Sequence, residues 1–272
     1  MGSLKTFLKD LALMVLNRVA TLLPSSLFCW YFENFMLPMA MSDLNAVRWH
    51  YLKKMQEDKF LLEDGGSQIK LANPVVICMS GLPQTGKTTI ARRLMLKMNL
   101  FHIDSNTVRA WLIDEGLDYR HVNTMILFFM TSMLKSKVSV VMDSDNILPI
   151  KRAFVEALAK KYGAKTEHIY TSVDATVWRN RLSSLDYKIH RLYADGVAHG
   201  NESYTDIKDV PRNRILQCVI GEYLRQAPGH AKYRQTLHTF AEIKNNGNDG
   251  EIKDFSSQIS ERLFAKHGVV HV

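Results

Sequence analysis

The chain has 272 residues, 46% hydrophobic and 23% charged, with 35 Lys and Arg against 27 Asp and Glu for a net charge of +8. Three widely spaced cysteines, Cys29, Cys78 and Cys218, exclude a disulfide scaffold and a cysteine-based zinc site and fit a reducing compartment. The positive balance suits an anionic partner such as a nucleotide, nucleic acid or membrane surface, but no block of like charges marks a nucleic-acid arm.

In chain order, residues 1–62 read as a helical N-terminal extension. Phe7–Leu23 is apolar apart from Lys9, Asp10, Asn17 and Arg18, and Leu27–Met41 carries only Glu33. Neither stretch is long enough uninterrupted to span a bilayer. Packing on the core or a partner competes with peripheral membrane contact through residues 1–41. Met1–Thr6 also fits the N-myristoylation pattern at Gly2, a short pattern that recurs by accident. Residues 63–73, with the turn cluster Asp64-Gly65-Gly66-Ser67, read as a linker or hairpin.

From Pro74 the chain alternates strands and helices. Val75–Met79 reads as a buried strand, Lys87–Met98 as a helix and Leu100–Ile103 as a strand. Asn123–Ser136 follows as a helix, Val138–Met142 as a strand and Lys151–Tyr162 as a helix. Glu167–Val173 then reads as a strand, Thr176–Leu185 and Arg212–Gln226 as helices, Leu237–Ile243 as a strand and Glu251–Lys266 as a last helix. That alternation predicts a parallel sheet covered on both faces, in a domain spanning 74–268.

Chemistry begins at Gly81-Leu82-Pro83-Gln84-Thr85-Gly86-Lys87-Thr88, a G-x-x-x-x-G-K-T run between a strand and a helix. Gly81 and Gly86 let the backbone wrap a polyphosphate so that successive N–H groups point inward, and the helix that follows adds its positive dipole end. Residues Gly81 to Thr89 therefore form the expected ATP site. Lys87 would reach the β/γ-phosphates and the Thr88 hydroxyl would sit on Mg²⁺.

Asp104 ends the second strand, where it can accept a proton from an attacking hydroxyl or hold Mg²⁺; its alternative role is to cap the next helix. Arg109 can steer an anionic substrate. Asp143 closes the third strand and is the candidate for the metal shell, while Asp145 can instead cap the helix that Pro149 helps to start. Asp174, Trp178, Arg179 and Arg181 follow the fourth strand. Mobile arginines there would neutralise a phosphoryl group in flight. Arg179 and Arg181 lie two residues apart and so point different ways on a helix.

Asp104–Arg109 resembles the D-x-D-x-x-R element of adenylylsulfate kinase, with Asn106 in place of the second acid. Asp143-Ser-Asp-Asn146, followed by Pro149 and Lys151-Arg152, resembles a segment of the polynucleotide-kinase and zeta-toxin group. Phe240–Gly247 is similar to the adenine-side strand and loop of nucleoside-monophosphate-kinase-type proteins. The resemblance covers about Pro74 to Lys266. It implies an α/β P-loop NTPase fold, a five-stranded parallel sheet in the order 2-3-1-4-5 between two helical layers.

It also implies transfer of the ATP γ-phosphate to a hydroxyl, with Asp104 as base, Lys87 with Arg179 or Arg181 in catalysis, and Arg109 and Asn146 toward the substrate. The region 174–236 is longer than a minimal lid, and residues 1–62 have no counterpart in the minimal fold. Substrate identity therefore does not transfer. The acceptor would be a polynucleotide 5′-hydroxyl or a small molecule, and the expected location is cytoplasmic. The rival reading is a nucleotide-gated ATPase or regulatory binding protein with no acceptor.

Overall fold

The computed structural model describes residue 22 and residues 24–40, 44–54, 69–117, 121–183, 228–247 and 249–271. The expected turn at Asp64–Ser67, the expected helix at 212–226 and most of the apolar stretch 7–23 lie outside the described residues.

Strand β2, Val75–Ser80, is buried along its whole length because it sits at the centre of the sheet. Around it lie β3 (Phe101–Asp104), β4 (Val140–Asp143), β5 (Lys165–Ser172) and β6 (Ala241–Lys244), in the order β3-β4-β2-β5-β6. All four pairings are parallel. With β2 as the P-loop strand, this is the expected 2-3-1-4-5 order. A parallel sheet of this kind places every strand's C-terminal end along one edge, and loops that carry chemistry collect there.

Helices cover both faces. Along α3, Lys87–Met98, the residues Ile90, Leu94 and Met98 recur at helical spacing and are fully buried. They share one core with Ile259 and Leu263 of α9, Asp249–His267. The opposite face is covered by α5 (Val122–Lys135) and α6 (Pro149–Lys161).

The N-terminal extension joins that second core. Helix α1, Ser25–Tyr31, continues through a π-helical turn, Phe32–Met36, into Leu37–Met39. Pro38 has no N–H for the Asn34 carbonyl, and its ring crowds that group, so the preceding turn widens. Phe28 packs edge-on against Phe154 of α6 at 5.0 Å. Phe28 and Phe32 are each 2% exposed, worth about 1.5–3 kcal/mol apiece in buried surface. A second helix, α2 (residues 44–54), stacks Tyr51 on Phe129 at 4.1 Å.

Some elements differ from expectation. Helix α4, Ser105–Asp114, follows β3 directly and buries Val108 and Leu112. Strand β4 starts at Val140, not Val138, because the Val138 N–H closes the end of α5 onto the Met133 carbonyl. Strand β6 starts late because the Leu237 N–H is used on Arg234, closing α8 (residues 228–234). Residues Ile69–Leu71 (β1) pair antiparallel with Val269–His271 (β7), tying the start of the domain to its end. Among the described residues, no helix is long and apolar enough to cross a membrane.

Candidate active site

The P-loop links β2 to α3 with the backbone its glycines demand. Gly81 has φ +142° and Gly86 φ +93°, and Gln84 between them is also left-handed at +64°. A Cβ on Gly81 would lie 2.3 Å from the Thr171 carbonyl, and one on Gly86 would lie 2.0 Å from Asn245 Nδ2. Neither position has room for a side chain. Lys87 folds back across the loop, and its Nζ donates to the Gly81 carbonyl at 2.7 Å and the Leu82 carbonyl at 3.0 Å. Thr85 Oγ1 donates to Leu82 O at 2.7 Å and lies 2.6 Å from Thr171 Oγ1, fastening the loop to β5. Thr88 is partly buried on the first turn of α3, and Thr89 is exposed.

Three carboxylates from the ends of β3 and β4 face this lysine. Burial lowers the Lys87 pKa, opposed by Asp145, Asp143 and Asp104. Asp104 and Asp143 are register partners, which sets their backbones side by side.

Asp104 caps α4: Oδ1 accepts the Asn106 N–H at 2.9 Å and Oδ2 accepts the Thr107 hydroxyl at 2.7 Å. Each carboxylate oxygen still has a second lone pair, so a proton can be taken there without dismantling the cap. Asp143 is buried with Oδ2 3.3 Å from His102 Nε2, and the imidazole orients it.

Asp145 does not cap α6, whose N-cap is Leu148 and whose first residue is Pro149. Its Oδ1 accepts the Ile147 N–H at 3.3 Å in a local turn, and its Oδ2 lies 2.8 Å from His230 Nε2 of α8. Burial pushes the Asp145 carboxyl up, but the His230 hydrogen bond and charge, with Lys87 and Lys151, outweigh it and hold the group below its ordinary range. Lys151 donates to the Asp145 carbonyl at 3.4 Å, and burial lowers its pKa, with Arg109 adding to the effect.

The remaining candidates divide. Arg109 Nη1 donates to Asn106 Oδ1 at 2.9 Å, beside the carboxylate cluster. Asn146 is 2% exposed, and its amide donates to the Met79 and Ser144 carbonyls, so it brackets β2 to the loop after β4. Arg179 is exposed on α7, Ala175–Ser183. Arg181 turns inward: it donates to the Gln84 carbonyl at 3.2 Å and, through Nη2, to Asn245 Oδ1 at 3.2 Å. Of the two arginines, Arg181 meets the P-loop and Arg179 is exposed. The Arg181 contact is on the side of the loop after β6, the side that the family resemblance assigns to adenine.

Several site residues escaped the sequence. Asn245, 3% exposed, donates Nδ2 to the Thr85 carbonyl at 3.0 Å and buttresses the loop from behind. Trp178, which the sequence marks by position but gives no role, donates its indole N–H to the Pro83 carbonyl at 2.8 Å. His102 and His230 reach their aspartates across 41 and 85 residues of chain, which no local pattern records. Lys-Asn-Asn-Gly at 244–247 was the one available signal, pointing to a loop of this kind without singling out Asn245.

Residues 76–184 match the family model described as AAA domain. No curated protein matches the chain. Among similar solved structures is the APS kinase of Mycobacterium tuberculosis in complex with AMPPNP and APS, at 13% identity and TM-score 0.43, covering 70% of this chain and 98% of that one. Another is shikimate kinase from Acinetobacter baumannii in complex with shikimate, at 15% identity and TM-score 0.38, covering 72% and 95%. A sugar kinase from a Janibacter species has 18% identity and TM-score 0.33, covering 58% and 98%. The P-loop, the strand order and the match over residues 76–184 identify an α/β P-loop NTPase fold.

Proposed function

We propose that the protein is an ATP-dependent phosphotransferase that moves the γ-phosphate of ATP to a hydroxyl of a small molecule or polynucleotide. The observation that carries this reading is the side-by-side pairing of Asp104 and Asp143 at the ends of β3 and β4, whose charges, with that of Asp145, act on the P-loop Lys87. A lysine on the donor phosphates with carboxylates on the acceptor side is the electrostatic arrangement that phosphoryl transfer requires.

Residues Gly81–Thr89 cradle the polyphosphate with backbone N–H groups, and Lys87 leaves its loop carbonyls to contact the β/γ-oxygens. Mg²⁺, accompanying ATP, would be held by the Thr88 hydroxyl and by Asp143 through water, and would neutralise charge on the β- and γ-oxygens. The residues fit that role, because Thr88 lies in the first turn of α3 and Asp143 Oδ1 makes no hydrogen bond among the described residues. The acceptor oxygen bonds to the γ-phosphorus as the bond to the β–γ bridging oxygen breaks. ADP leaves with that electron pair, and the hydroxyl proton passes to Asp104. Arg109 and Lys151 add positive charge on the acceptor side, and Arg181 supports the nucleotide side of the loop.

The engagement of both Asp104 oxygens favours a second reading, a nucleotide-gated ATPase or regulatory binding protein with no acceptor. Label transfer from γ-labelled ATP to a panel of RNA, DNA and metabolite hydroxyls separates the two. Labelled acceptor, absent with Lys87→Ala, supports the phosphotransferase. Free phosphate alone across the panel supports the gated protein.

A further inference from the structure

Beside the carboxylate cluster, on the face of the sheet covered by α5 and α6, lies a cavity of about 170 Å³. Its inner walls are apolar, with Leu127 from α5, and Phe154 and Val155 from α6. Met36, on the π-helical turn of the N-terminal extension, closes one side, and the partly exposed Leu148 stands at the mouth. Asn123 adds a polar group from α5, and the loop after β4 with the start of α6 adds Ser144, Asn146 and Lys151. The last three flank Asp145, whose carboxylate lies in the fields of both Lys87 and Lys151. Asn146 also donates to the carbonyl of Met79, two residues before the P-loop begins.

A mostly apolar chamber with a few polar groups is the usual form of a small-molecule site. The size is informative, since an apolar cavity of about 150 Å³ is enough to take up benzene. A polynucleotide end would need a continuous basic track with exposed aromatic platforms. Among the described residues, the only cation lining the cavity is Lys151, and the only aromatic ring, Phe154, is 5% exposed.

We propose that this cavity takes the carbon body of the phosphate acceptor, a small alcohol bearing an apolar ring or branched chain, with its hydroxyl toward Ser144 and Lys151. The assignment rests on the phosphotransferase reading above and narrows its acceptor. It also gives the N-terminal extension a part in substrate selection, because Met36 forms one wall.

Saturation-transfer NMR of the full chain with benzyl alcohol, against glycerol as a polar control, tests it without requiring turnover. Val155→Phe fills the chamber, and Leu148→Trp blocks the mouth from a partly exposed position where folding is not at risk. Benzyl alcohol should bind in preference to glycerol and weaken by about tenfold or more in both variants, with affinity for a fluorescent ATP analogue held within about twofold. Absence of that preference, or unchanged benzyl alcohol binding in both variants, would overturn the site. Label transfer to arylalkyl alcohols that falls in both variants supports the acceptor role. Undiminished transfer to a 5′-hydroxyl oligonucleotide in Val155→Phe overturns that role while leaving the phosphotransferase intact. No label on any acceptor overturns both.

Discussion

Substituting Gly86 by alanine exposes how the P-loop is held. Gly86 has φ +93° and ψ 18°, a left-handed geometry that costs a residue with a Cβ about 1–2 kcal/mol. The new Cβ would lie 2.0 Å from Asn245 Nδ2, so that amide must leave. Its departure unpairs the buried Thr85 carbonyl, at about 1–3 kcal/mol, and breaks the contact of Asn245 with Arg181. Together Gly86→Ala should destabilise by about 2–5 kcal/mol. Asn245→Ala alone should cost about 1–3 kcal/mol through the same carbonyl. In the double variant the carboxamide is already gone, so only the backbone strain is added. The pair should therefore be less damaging than the sum by about 1–3 kcal/mol. Urea denaturation of the four proteins measures this cycle, and titration with a fluorescent ATP analogue should follow the same order. Costs that simply add, to within about 0.5 kcal/mol, would refute the idea that Asn245 is what fills the space behind Gly86.

Asp104 has two roles that substitution can separate. Asp104→Asn keeps an N-cap acceptor and should leave stability within about 0.5 kcal/mol, while lowering label transfer by about two orders of magnitude or more if the group is the base. Asp104→Ala should in addition cost about 0.5–2 kcal/mol in denaturation for the lost cap; intact turnover in Asp104→Asn would remove the catalytic assignment. Trp178→Phe deletes the bond to the Pro83 carbonyl, so the change in intrinsic fluorescence on ATP addition should shrink, and an unchanged signal would assign it to another tryptophan. For Asp145, the folded carboxyl lies below its unfolded value of about 3.9. Between those two values the unfolded chain binds a proton that the folded chain does not, so this contribution is present above about pH 3.9 and is lost as pH falls through the folded value. Asp145→Asn should flatten the fall in melting temperature over that acid range, and an identical acid profile would count against the His230–Asp145 contact.

Much of this molecule was legible before any fold was known. The G-x-x-x-x-G-K-T run specifies a backbone and a ligand together, because each glycine is required by local geometry and Lys87 by the charge it meets. Helices such as Lys87–Met98 were readable to the residue, since Ile90, Leu94 and Met98 repeat at helical spacing. Helix α4 has only an ambiguous signal, because Asp104-Ser-Asn reads equally as chemistry and as a cap, and Val108 and Leu112 add one apolar pair at helical spacing.

Local pattern therefore determined the nucleotide half of the protein: the phosphate loop, the strands and helices around it, and acids at the two strand ends. Tertiary structure alone decided how those acids are used. It placed His102 on Asp143, His230 on Asp145 and Asn245 behind Gly86, and it turned Arg181 toward the P-loop while leaving Arg179 exposed. It also brought Met36 of the N-terminal extension to a cavity walled by α5 and α6. Each of these contacts joins residues tens of positions apart or more, and sequence periodicity carries information only over the few residues of one helical turn or one strand.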